Sequence, residues 1–206
     1  MANDLTETTI MRALDWLYDK ATAGGAGLDS AQELAVSYLK ETGTLHDKVN
    51  SLIRWQNTKA GTSGFVTNLG GFALMPVTIP ANISSVMYIQ VRMIAAIAHM
   101  GGHDLRDDKV KTLVYLCLCG SAASDVIKEI GIKIGTKITI NAISNISRQT
   151  ITKINQAIGF KLFTKFGEQG VINLGKAVPL VGGVIGATVD SFATNIIGDV
   201  ARDAFI

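Results

Sequence analysis

The feature that most constrains this chain is a long uncharged stretch that includes one continuous apolar helix. No residue from Ala60 to Val91 carries a charge. Glycines and prolines break the first part of this stretch, and Pro80 then stands where a helix favours proline, in its first turn. Apolar residues follow on nearly every side as far as Met100. This pattern predicts a helix that is either surrounded by other helices or inserted in lipid.

The polar residues of this helix decide between the two environments. A helix of about 20 residues is long enough to span a bilayer core, but polar side chains within lipid are costly. The helix carries Asn82, Gln90, Arg92 and His99, so we predict the central helix of a soluble bundle. Gln90 and Arg92 are two residues apart and therefore face opposite sides. We expect each to be hydrogen-bonded to a neighbouring helix, because an unpartnered buried charge is unfavourable.

The remaining periodicity predicts an all-α fold, a single multi-helix bundle with a long apolar central helix and a glycine-rich C-terminal helix. One domain covers residues 1–206, with amphipathic N-terminal helices (1–60), apolar core helices (61–130) and basic, glycine-rich helices (131–206). The predicted helices are Thr6 to Ala23, a second capped by Asp29 or Ser30, Leu45 to about Ala60, Pro80 to Met100, Leu105 to about Ile130, and a broken helix through Ile158. Residues 61–79 are expected to be loops around a short helical turn.

Helical spacing also assigns the inward faces. The expected inward residues are Ile10, Ala13, Leu14, Leu17 and Ala21 in the first helix, Leu34, Ala35, Tyr38 and Leu39 in the second, and Val49, Leu52, Ile53 and Gln56 in the third. Trp16 and Trp55 are expected in the core or at its boundary. Residues 130–140 alternate like a strand, but no second strand is predicted to pair with them, so we favour helix there.

Composition and spacing argue against several classes of site. The net charge of +2 and the lack of a basic run with interleaved aromatics exclude a nucleic-acid partner. Cys117 and Cys119 would point about 200° apart on a helix, which predicts buried free thiols of a reducing compartment. His99 and His103 have a metal-like spacing, but the two glycines between them interrupt the helical turn that such a pair needs. We predict neither a metal nor a cofactor.

The expected location is cytoplasmic, with a peripheral position on the inner face of the membrane as the alternative. The N-terminal residues are amphipathic and acidic, unlike a secretory signal. Between Lys128 and Val178 there are eight basic and two acidic residues. Within this region, the candidate membrane surface is Phe160, Lys161, Phe163, Lys165 and Phe166. Interleaved phenylalanines and lysines are typical of a segment that lies on anionic lipid, although an ordinary packed helix has the same pattern.

The C-terminal helix carries a stripe of small residues. After Pro179, the residues Gly182, Gly186, Asp190, Thr194 and Gly198 recur every four positions. Such a face lets another helix approach closely and also allows a homo-oligomer. Asp190 lies on this stripe and would need a cation, for which Arg92 is a candidate. Gln90, Arg92 and Asp190 are therefore candidate buried polar or ligand contacts.

Several segments together resemble the EcsC family. They are LDWLYDKATAG at 14–24, GGFALMPVTIPANI at 70–83, QVRMIAAIAHMGGHDL at 90–105 and INQAIGFKLFTKFGEQGVINLGKAVPLVGGVIGATVD at 154–190. At 101–104 the chain has GGHD where the family pattern has an aromatic residue before the aspartate, so His103 is not a family-wide functional residue. The resemblance implies a bacterial, membrane-associated protein with no catalytic residues to carry over. It also makes an ABC transporter a candidate partner.

Two functions follow. The first is a non-catalytic helical protein that acts at or near a membrane through anionic lipid or a membrane protein. The alternative is a soluble bundle that encloses an apolar ligand, such as a lipid chain, between the Pro80 helix and the Gly182 helix. The sequence shows no paired carboxylates, no Ser–His–Asp set in a supporting context and no metal set, so we do not predict an enzyme.

Overall fold

The computed structural model describes residues 6–24, 29–60, 79, 81–131, 145, 147–175 and 182–206, without the side chains of 59–60, 81–82, 166–175 and 182–192. These residues form eight α-helices and no strand, which confirms the all-α prediction. The helices are α1 (Glu7–Ala23), α2 (Ala31–Leu39), α3 (Leu45–Ala60), α4 (Ala81–Met100), α5 (Asp108–Leu118), α6 (Ala123–Glu129), α7 (Arg148–Gly175) and α8 (Gly182–Phe205). A 3₁₀ turn, Gly120–Ala122, joins α5 to α6. The predictions for residues 61–78, 80, 132–144, 146 and 176–181 lie outside the described part of the chain.

Local hydrogen bonds explain where the N-terminal helices begin. The Ser30 hydroxyl accepts the Glu33 N–H at 3.2 Å, and the Glu33 carboxylate accepts the Ser30 N–H at 2.8 Å. Ser30 rather than Asp29 therefore caps α2, in a reciprocal capping box. Thr44 and Asp47 form the same pair of bonds at the start of α3. The capped ends fix the entry of both helices into the bundle.

The central position predicted for the Pro80 helix is confirmed. α4 packs against α1, α2, α3, α5 and α8, and every side chain from Met87 to Ala98 is buried. Of the single helices in the described ranges, α4 alone has the length and composition to cross a membrane, and most of that window is buried within the protein. The bent pair of α5 and α6 passes the same test only when counted as one span.

The C-terminal ends of α4 and α8 meet at one side of the bundle. α4 ends in a glycine motif in which Gly102, at φ 83°, is followed by a bond from the His103 N–H to the Ala98 carbonyl. A side chain at Gly101 would collide with the backbone oxygen of Phe205. Glycine at 101 thus lets the C-terminal end of α8 lie directly against that of α4.

Three predictions of helix extent or burial are wrong. The predicted helix from Leu105 to about Ile130 is two helices with a bend of 120° between them, because Gly120 adopts a φ of 59°. Trp55 is 57% exposed, since it lies beside the buried face of α3 rather than on it. Leu39 is 36% exposed because it is the last residue of α2. The other residues predicted to face inward are buried or packed against the core.

Candidate functional site

Gln90 is buried and links α4 to α8. Its side-chain amide donates a hydrogen bond to the Thr194 hydroxyl at 3.0 Å. Thr194 is itself fully buried, and it occupies the small-residue stripe predicted on α8. The contact confirms the prediction that Gln90 bonds to a neighbouring helix, and it joins α4 to α8 at these two residues.

Arg92 is buried on a different side of α4. Its guanidinium donates to the Asp29 carbonyl at 3.2 Å and is 3.5 Å from the Gln56 side-chain oxygen. It also lies 5.8 Å from the centre of the Tyr88 ring. Burial lowers the pKa of Arg92, and nearby Tyr88 and Asp29 oppose that shift. Arg92 therefore connects α4 to α3 and to the residue before the α2 cap.

The three candidate polar contacts do not come together as one site in the described part of the protein. Gln90 faces α8 and Arg92 faces α2 and α3, as their spacing predicts. Asp190 lies within α8, but its side chain is outside the described set, so its pairing with Arg92 stays a prediction. Gly182 and Gly186 also lie in the part of α8 whose side chains are outside the described set. Gly198 is buried against Ile53 of α3.

The side chains of the candidate membrane surface on α7 point in two different directions. Phe160 is 50% exposed, and Phe163 is partly buried against the core. Lys161 forms an ion pair with Glu129 of α6 at 3.4 Å, and the Lys165 ammonium lies 3.5 Å from the Leu118 carbonyl of α5. The lysines thus point toward the α5–α6 bend. Phe166 belongs to α7, but its side chain is not among those described.

A cleft of about 440 Å³ opens where these lysines meet the bend. We call it the bend cleft. Its walls are Cys119, Gly120, Ser121 and Ala122 of the bend, Lys161, Leu162, Thr164 and Lys165 of α7, and Ala193, Ile196 and Ile197 of α8. Both cationic side chains stand on the α7 wall, while the α8 wall is apolar. The bend cleft therefore offers an anionic group and a hydrocarbon group separate places to bind.

Two buried free thiols lie at this bend, as predicted. Burial raises the pKa of Cys119 to about 12, although Lys165 and Lys161 act in the opposite direction. Burial also raises the pKa of Cys117 well above its ordinary value. A thiol held in its protonated form is a weak nucleophile, so neither cysteine suits covalent catalysis at neutral pH.

A second groove, of about 430 Å³, lies between α1, α5 and the start of α7. The Asp15 carboxylate lines this groove and accepts bonds from Tyr115 at 2.9 Å and Lys111 at 2.8 Å. The acidic and basic residues of its lining are Asp15, Asp107, Asp108, Lys109, Lys111 and Arg148. Because acidic and basic residues are equal in number, the charges of this groove favour neither anionic nor cationic ligands. The bend cleft is the better candidate site.

His103, one of the two histidines predicted not to bind a metal, has a packing role. His103 lies 3.3 Å from the Phe205 carbonyl through its Nε2 atom, and its ring contacts the Phe205 ring. The side chain therefore packs the end of α8 against the end of α4. Within the described ranges, His, Cys, Asp and Glu side chains form no group of three that could hold a metal ion.

The sequence reasoning missed the bend cleft because the cleft depends on a break inside an apolar run. Thr112 to Ser124 carries no charge and reads as one helix, yet Gly120 turns the chain there. Gly120 itself was the available signal, since a glycine inside a helical pattern marks a weak point. The Asp15 network was also missed, because its members are far apart in the sequence.

The fold and the clefts define a helical bundle protein with a buried central helix and a basic outer helix. A sequence model of the EcsC protein family matches residues 5–206, and the chain belongs to this family. No curated protein and no solved structure matches the chain.

Proposed function

We propose that this EcsC-family protein is a non-catalytic helical protein that acts at the surface of a membrane, where α7 contacts anionic lipid. The observation that carries the proposal is the composition and exposure of α7. From Arg148 to Lys165 its charged residues are all basic, and the Phe160 side chain is half exposed. Basic side chains near an anionic surface contribute about 1 kcal/mol each, and an exposed aromatic ring adds apolar contact at the headgroup level.

The proposed location is the inner face of the membrane, because the cytoplasmic leaflet is the anionic one. The buried central helix supports a peripheral rather than a spanning arrangement, since the side chains that lipid would cover are already covered by five helices. A membrane protein such as an ABC transporter is the second candidate partner. It would be favoured if the protein bound native membranes but not vesicles made of lipid alone.

The alternative function, a soluble bundle with an apolar ligand, is supported by one observation. The bend cleft has an apolar wall of Ile196 and Ile197. The place first predicted for the ligand, between α4 and α8, is occupied at the described level by the bond between Gln90 and Thr194. A ligand that copurifies with the protein, identified by native mass spectrometry, would favour this alternative.

Charge neutralisation on α7 tests the proposal. The double variant Lys161→Gln/Lys165→Gln should weaken the affinity for anionic vesicles by about thirtyfold, from the loss of about 2 kcal/mol of attraction by two cations. Lys40→Gln is the control for a single lost charge, because Lys40 is exposed beyond the end of α2 and should have little effect. Equal binding of the double variant and the wild type would contradict a role for this face of α7.

A further inference from the structure

The bend cleft combines two kinds of surface in one concave site. Leu162 and Ile197 are almost fully buried at its base, and Ile196 and Ala193 are partly buried along the α8 wall. Lys161 and Lys165 stand four residues apart on the α7 wall. Positions at this spacing are neighbours on a helix, about 5–6 Å apart at their Cβ atoms. The two lysines therefore both line the α7 wall of the cleft.

The ion pair of Lys161 is one that an anionic ligand can replace. Lys161 pairs with Glu129 at 3.4 Å, and the two side chains are 30% and 56% exposed, so the pair is partly in contact with solvent and weak. The Lys165 ammonium lies 3.5 Å from the Leu118 carbonyl, beside the bend. A carboxylate or phosphate at the α7 wall would accept charge-assisted hydrogen bonds from these ammonium groups.

The size of the cleft limits the ligand. A volume of about 440 Å³ lies toward the lower end of the range of about 300–1,000 Å³ for small-molecule sites. The apolar wall is a single strip along α8 beside the cationic wall. This arrangement fits one hydrocarbon chain with one anionic head, and it fits a lipid with two chains less well.

We propose that the bend cleft binds one single-chain anionic amphiphile, with its carboxylate or phosphate between Lys161 and Lys165 and its chain against Leu162, Ile196 and Ile197. This inference rests on the proposed function, since it assigns the anionic lipid contact of α7 to a defined site. The shared chemistry is an anionic head on a hydrocarbon chain, which a free fatty acid or a lysophospholipid can supply. The apolar wall predicts that an anion without a chain binds poorly.

The test uses the full chain and a fluorescent fatty acid, dansyl-undecanoic acid, whose emission rises in an apolar site. Dodecanoate and dodecyl phosphate, below their micelle concentrations, should displace it from the wild type. Inorganic phosphate and the neutral dodecyl maltoside should displace it at least tenfold less effectively. If dodecanoate alone displaces the probe, the site selects fatty acids. Displacement by dodecyl phosphate as well extends the site to lysophospholipid heads.

Variants separate the two parts of the site. Lys161→Gln/Lys165→Gln should weaken probe binding at least tenfold, and Ile196→Ser should weaken it several-fold by removing apolar contact. Lys40→Gln should leave binding unchanged. Circular dichroism and thermal melting confirm that each variant is folded. Failure of the folded wild type to bind the probe, or equal binding by the double lysine variant, would overturn the proposal.

Vesicle flotation of the same samples distinguishes this proposal from the proposed function. Flotation with anionic vesicles but no probe binding would overturn the bend cleft as a lipid site and leave the membrane role intact. Probe binding that depends on the lysines, without flotation, would support the cleft and contradict the membrane role. The Phe160→Ala variant adds a further separation, because Phe160 does not line the cleft and should affect flotation only.

Discussion

At the scale of single residues, Arg92 is the side chain with the greatest need for hydrogen-bond acceptors, because it is a cation buried in an apolar helix. Two of its hydrogen-bond acceptors, the Asp29 carbonyl and the Gln56 side chain, belong to different parts of the chain. The sequence predicted that Arg92 would bond to neighbours, because an unpartnered buried charge is costly. The sequence could not predict which residues these neighbours are. Helical periodicity shows which face of a helix is buried, but it does not show which other elements pack against that face.

We expect Arg92→Ala to lower the free energy of unfolding by about 2–4 kcal/mol, because it leaves buried acceptors without a donor and removes side-chain packing. Arg92→Met should cost less, since an apolar side chain of similar size refills the space. Urea unfolding monitored by circular dichroism measures both. The matched control is Arg54→Ala, an exposed arginine on α3, with an expected change below about 0.5 kcal/mol. An equally small change for Arg92→Ala would contradict a structural role.

The buried thiols predict a loss of stability at alkaline pH. The pKa of Cys119 is raised to about 12 and that of Cys117 is also raised, so the native protein keeps thiol protons that the unfolded chain loses near pH 8.5. Their stabilising contribution is complete below about pH 8.5 and declines as pH rises toward the folded pKa. We expect a decline of about 2 kcal/mol between about pH 8.5 and about pH 9.5 for the two thiols together.

Urea unfolding at a series of pH values measures this decline. The Cys117→Ala/Cys119→Ala variant is the control, and its free energy of unfolding should vary much less over the same interval. The wild-type thiols should also react slowly with an aromatic disulfide reagent at pH 8 unless the protein is unfolded. Rapid reaction of both thiols in the native protein would show that they are not held in the protonated form.

At the scale of elements, the small-residue stripe on α8 explains how closely that helix meets α3. A side-chain carbon at Gly198 would lie 2.7 Å from a methyl carbon of Ile53, which is closer than real contacts allow. Gly198→Ala should therefore destabilise the protein by about 1–3 kcal/mol from overpacking, although alanine is the better helix former. Thermal melting of Gly198→Ala alone and combined with Ile53→Ala tests this cause. Ile53→Ala alone is also destabilising because it leaves a cavity, so the double variant should lose less stability than the sum of the two single losses. Strictly additive losses would contradict direct contact.

Elements differed in how well the sequence predicted them. α1 and α3 have clear stripes and capping residues, so their extents and buried faces were predicted almost completely. The break between α5 and α6 was not, because the apolar residues continue through Gly120 and only the backbone angle there reveals the turn. The candidate surface on α7 was predicted as one face. In the structure the bend draws Lys161 and Lys165 toward α5 and α6, away from Phe160.

At the scale of the whole molecule, the arrangement of helices decides how the protein can meet a membrane. α4 is the most apolar helix, and five neighbours cover it, so the described bundle does not leave it to lipid. The sequence predicted this burial from the polar residues of the helix. It could not predict the bend cleft, which needs α7 and α8 to meet at the turn after α5. The lipid contact that we propose therefore depends on tertiary structure as much as on the composition of α7.

Flotation of the purified protein with vesicles tests the proposed membrane role most directly. Anionic and neutral vesicles are compared at about 0.1 M and about 1 M salt, where charges are screened beyond about 10 Å and about 3 Å. We expect the protein to float with anionic vesicles at the lower salt concentration and to be released from them at the higher one. We expect no binding to neutral vesicles. The absence of flotation with anionic vesicles at low salt would contradict the proposal that α7 contacts anionic lipid.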